Sequence, residues 1–124
     1  EYHGQIIGLS QRDRSIFGAL KVIGQRRVFW GLFTIYKVSV PPNELETIIR
    51  RLQENMSNKL LFLPQEYYAH FYRGRELIIV YRDRVFRVTT DPATWKAAIE
   101  HGRELGIAER QLDFSPHRVE DERY

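Results

Sequence analysis

The residues best suited to chemistry lie in the run Tyr67-Tyr68-Ala69-His70-Phe71-Tyr72. An imidazole changes charge near neutral pH, which makes histidine the side chain most readily used as a general acid or base. In a strand, alternate side chains share a face. Tyr68, His70 and Tyr72 then stand in a row, and their hydroxyls could orient the ring or meet a ligand. Tyr81, in the next strand, joins that face. Tyr68, His70, Tyr72 and Tyr81 are therefore the residues expected to contact a ligand. No carboxylate stands at a matching position, so a histidine bonded to one neighbour is the simpler account. A small enzyme built on His70 and a tyrosine is kept as an alternative, with no catalytic residue assigned.

A second constellation interleaves aromatic and basic side chains. Tyr72-Arg73-Gly74-Arg75 and Tyr81-Arg82-Asp83-Arg84 could stack bases and pair phosphates. Residues 1–42 add six basic side chains against two acidic ones, Arg26 and Arg27 among them, within a net charge of +3 for the chain. Net charge speaks to association rather than to fold. Arg26, Arg27, Arg73, Arg75, Arg82 and Arg84 form the alternative reading, an RNA- or DNA-binding surface. The aromatic-rich strand motif of an RNA-recognition domain is missing.

Other chemistry is excluded by residue type and spacing. The 124 residues include no cysteine, which removes disulfides, thiolate nucleophiles, iron–sulfur clusters and zinc fingers. His3, His101 and His117 are scattered, with no pair at metal-ligand spacing. The glycines form neither a dinucleotide fingerprint nor a phosphate loop, and no serine sits in a nucleophile elbow. No metal and no cofactor are expected. No stretch nears the ~18 consecutive apolar residues of a membrane helix. No basic segment leads into an apolar run at the start. A cytoplasmic protein with no membrane partner is expected.

The elements that must position these residues follow from periodicity. Gln5–Leu9 reads as an edge strand. Ala19–Ile23, a turn at residues 24–26, and Arg27–Val40 read as a hairpin feeding a long strand, with Gly31 marking a bulge. Leu45, Ile48, Ile49, Leu52 and Met56 recur at helical spacing over residues 42–56, with Asn43 and Glu46 as a capping box. Residues 57–66 are a connection whose apolar middle is expected to pack on the core. Residues 67–90 read as a three-stranded meander. Asp91-Pro92 opens a second helix, lined by Trp95, Ala98, Ile99, Gly102 and Leu105 and closed by Gly106. A short strand is expected at 111–114. One α+β domain is expected over 1–114, with 115–124 as a flexible tail.

Even-numbered turns divide the meander into two faces. Tyr68, His70, Tyr72, Leu77, Ile79, Tyr81, Phe86 and Val88 share one; Tyr67, Ala69, Phe71, Ile78, Val80, Arg82, Val85, Arg87 and Thr89 lie on the other. Neither is polar throughout, whereas an antiparallel sheet with one wet face alternates cleanly. Two helices can cover one face. The other then needs a ligand, more of the chain, or a second subunit, and a sheet-to-sheet homodimer is the simplest of the intermolecular answers.

The order of elements is similar to that of ferredoxin-like and related α+β sandwiches, built on an antiparallel sheet of four to six strands and two helices. That fold hosts many functions. An acylphosphatase reading fails, since Pro41-Pro42 stands where its phosphate-binding loop belongs. WGLFTIYKVSV, YYAHFY and ATWKAAIEHGRELGIAERQLDF also resemble a family of small uncharacterised bacterial proteins, over Gly4–Phe114. The resemblance implies no activity and carries over no site residues. The expected function is a non-enzymatic module that binds a small ligand or a protein, homodimeric through its sheet.

Overall fold

Strand β1 (Tyr2–Ile7) lies inside the sheet, not at its edge. The computed structural model describes residues 1–28, 31 and 33–114. β1 is flanked by β3 (Phe33–Val40) and β6 (Tyr68–Arg73), both antiparallel to it. Its outer neighbours are β2 (Lys21–Val28) beyond β3, and β7 (Glu76–Tyr81) and β8 (Val85–Thr89) beyond β6. The six strands run β2-β3-β1-β6-β7-β8. Gly4 is what admits β1 to the centre: a Cβ there would lie 2.4 Å from Cδ1 of Phe71 on the adjoining strand.

The expected long strand is two. β2 and β3 pair from Val28↔Phe33 back to Lys21↔Ser39, with the register break between Val22 and Gly24. Gly31 lies in the turn between them at φ +86°, a left-handed conformation that suits glycine. The turn expected at 24–26 is therefore strand. The meander is as expected: Arg73↔Glu76 brackets Gly74 and Arg75, and Val80↔Val85 brackets the second turn.

α1 (Leu45–Glu54) and α2 (Lys96–Glu104) complete the α+β architecture. Leu45, Ile49 and Leu52 of α1, with Met56, bury against Ala69, Phe71, Ile78 and Val80. Trp95 and Ala98 bury against Tyr72, Leu77, Ile79 and Tyr81. These strand residues alternate, so the two helices cover opposite faces. A ferredoxin-like sandwich is not confirmed, and the expectation that both helices share one face is overturned. The face on which a second subunit was expected is covered over β6–β8 by α2 and residues 105–114.

Neither helix has a side-chain cap of its own. The Asn43–Glu46 capping box does not form; no side chain caps α1, and Glu46 pairs with Arg87 instead. Asp91 does cap the turn leading into α2, accepting from the Ala93 amide at 3.0 Å. At its far end Ile107 donates to Gly102 and Gly106 to Arg103, with Gly106 at φ +87°. That pair of bonds is a Schellman closure.

Two other expectations are corrected. Residues 109–111 form a 3-10 turn and 112–114 are irregular, with no strand at 111–114. The 57–66 connection is a hairpin, β4 (Lys59–Leu60) paired with β5 (Leu63–Pro64), whose tip points away from the core. Leu61 is 84% exposed and Phe62 96%. The tail expected over 115–124 lies outside the described residues, as do Phe29, Trp30 and Leu32.

Candidate ligand-binding site

α2 is nine residues long and covers only part of its face. Where its cover stops, a cavity of about 290 Å³ opens between the sheet and residues 107–113. The sheet contributes Ile7 from β1, Val28 from β2, and Phe33 and Ile35 from β3. Ile107, Gln111 and Asp113 form the opposite wall, and Gln65 to Tyr68 bring the chain past one side. Cross-strand pairing aligns the row: Gln5 stands opposite His70 on one side and Lys37 on the other.

His70 and Tyr68 are both in the wall. The rest of the His70 side chain is half-buried, but its Nε2 is buried with no hydrogen-bond partner among the described residues. Burial holds its pKa far below the usual 6.5, at about 4, while the charge of Asp113 pulls weakly the other way. The imidazole is neutral at physiological pH. Tyr68 donates to the carbonyl of Gln111, which fastens the irregular segment to β6. Burial, then Asp113, raises the Tyr68 pKa.

Tyr72 and Tyr81 are placed differently. The Tyr72 ring lies 5.8 Å from that of His70, and its hydroxyl is also buried without a partner among the described residues. It does not line the cavity. Tyr81 is fully buried and its hydroxyl donates to the Ala98 carbonyl at 2.7 Å, so it ties α2 to the sheet. The four expected residues thus divide into two at the cavity, one beside it and one beneath the helix.

The six arginines are not gathered onto one surface. Arg73 ends β6 and Arg75 lies in the β6–β7 turn, while Arg82 and Arg84 lie in the β7–β8 turn at the opposite end of β7. Six strand residues separate them, about 20 Å. Arg73 pairs with Glu76 and lies over the Tyr2 ring; Arg82 pairs with Glu66 at 2.8 Å. Arg84 lies over Phe86. Arg26 and Arg27 are exposed on edge strand β2.

Sequence reading missed the contributions of β1, β3 and residues 107–113. Asp113 is the carboxylate that the strand alternation lacked, and it lies 43 positions from His70. Only a buried apolar residue after it, Phe114, signalled that this segment returns to the sheet. Searches against protein families, curated proteins and solved structures found no match for this chain.

Proposed function

We propose that the protein is a non-enzymatic binding module for a small, largely apolar ligand, held in the cavity beside His70. The observation that carries this reading is the cavity itself, mostly apolar in its lining surface, with His70 and Tyr68 in its wall. Gln5, Gln111 and Asp113 line the same cavity, so a ligand with one polar end and an apolar body suits the site. An apolar cavity of about 150 Å³ accommodates benzene. About 290 Å³ suits one or two fused rings or a short branched chain.

Binding is favoured over catalysis on two grounds. A general base works best with a pKa near the operating pH, and that of His70 is pushed down to about 4. The Tyr68 hydroxyl, the other group at hand, is already committed to the Gln111 carbonyl. Neither is poised to move a proton at neutral pH.

The test uses the neutral fluorescent probe phenylnaphthylamine in solution. One probe per chain should bind with enhanced emission. Ile35→Trp, which fills the cavity from a half-buried position, should abolish the signal while costing no more than about 1–3 kcal/mol of stability. Equal emission from the wild type and a stably folded Ile35→Trp variant would refute the site.

A further inference from the structure

The β4–β5 hairpin carries a second, separate feature. Leu60 pairs with Leu63, leaving Leu61 and Phe62 as a two-residue loop. Leu61 has φ +57°, the left-handed region. A two-residue hairpin with positive φ at its first position ordinarily has glycine there. Here the position holds leucine. Leu61, Phe62 and Leu63 are 84%, 96% and 67% exposed, so their apolar surface is left uncovered by the described residues. Strained backbone tends to persist where function needs it.

Register shows what surrounds the tip. The hairpin leads into β6, and the Tyr67 hydroxyl bonds back to the Lys59 carbonyl at 3.1 Å. β6 begins at the end of the sheet where Tyr68 pairs with Tyr81, next to the β7–β8 turn. The β2–β3 turn lies at this end as well, since Val28 and Phe33 share the cavity wall with Gln65 to Tyr68. Arg26, Arg27, Lys59 and Arg84 are exposed here. Three acids lie at this end: Glu66 is engaged by Arg82 and Asp83 by His101 at 2.8 Å, and Asp113 is exposed in the cavity wall, so the cations remain in excess. At the opposite end Arg73–Glu76 and Arg87–Glu46 interleave the two signs.

We propose that this basic end docks on an anionic lipid surface, with Leu61, Phe62 and Leu63 inserted at the interface and the flanking cations against the headgroups. Stable attachment of a peripheral protein takes two signals, an apolar insertion and a basic patch, and both are present at one end. A second copy fits poorly. Three tip side chains offer far less than the roughly 800 Å² per partner of a stable interface, and two like-charged ends would meet. A nucleic acid fits less well, because Phe62 alone of the three tip side chains can stack on a base. No helix among the described residues is long and apolar enough to cross a membrane, so the contact is with the surface. The expectation of no membrane partner considered only spanning helices.

The test is co-sedimentation of the full chain with vesicles of phosphatidylcholine mixed with phosphatidylglycerol, and with phosphatidylcholine alone. Binding should favour the mixed vesicles and weaken as salt is raised. Phe62→Ser should lower the partition coefficient about tenfold or more. Arg27→Glu with Arg84→Glu should lower it further still, at roughly fivefold per cation lost. Arg75→Glu, at the opposite end, should bind as wild type. Phe62 is exposed, so the variant should fold normally, and unchanged phenylnaphthylamine binding in solution would show that it has. No sedimentation with mixed vesicles, or equal sedimentation of wild type and Phe62→Ser, would overturn the proposal. So would a dimer in light scattering that Phe62→Ser abolishes, which would assign the tip to a second copy.

Discussion

The two faces of the sheet are built from the same strands yet are closed in different ways. On the α1 face, aliphatic side chains of a continuous helical stripe meet Phe71, Ile78 and Val80. On the α2 face, a helix that follows the Asp91-capped turn and ends in the Gly106 closure covers β6–β8, and an irregular segment does the rest. Its core is rich in aromatics whose hydroxyls fasten backbone, as Tyr81 does with Ala98 and Tyr68 with Gln111. A regular amphipathic helix closes a sheet face without gaps. Closure by an irregular segment leaves space, and here the space lies at His70.

Substitutions should separate the two faces. Phe71→Ala removes a fully buried ring from the closed face and should cost about 3–5 kcal/mol in denaturant unfolding. A loss below about 1 kcal/mol would mean that the α1 face is loosely packed. On the open face the largest effect should come from pH. The pKa of His70 is lowered in the folded chain, so below about pH 6.5 the unfolded state binds a proton that the folded state refuses until about pH 4. Stability contributed at neutral pH is therefore lost as pH falls through that window, by on the order of 3 kcal/mol. His70→Phe should flatten this part of the stability profile; an unchanged profile would place the ring in water. The smallest effect should come from the cap. Asp91→Ala should cost about 1 kcal/mol and raise amide exchange first in residues 92–99. Uniform exchange across the sheet instead would show that α2 and the sheet open together.

Legibility followed the range of the interaction. The meander's two faces, both helical stripes, the Asp91 cap and the Gly106 closure were all readable, because each depends on residues within a turn or a strand of one another. Tyr68 and His70 were readable for the same reason. The edge assignment of β1 was not: its neighbours are set by Gly4 fitting under Phe71, a contact 67 positions apart. The hairpin tip misled for a physical reason as well. A run of apolar residues is normally buried, and only a turn with Leu61 at positive φ turns this one outward.

By itself, the sequence determined that this chain makes an antiparallel sheet with two apolar faces and two amphipathic helices, since period-2 and period-3.6 patterns are local. Tertiary structure alone decided that each helix takes a different face, that β1 goes to the centre, and that the closure of one face stops short beside His70. Those outcomes rest on pairings between distant strands and on the length of α2 against the width of the sheet, which no local pattern encodes.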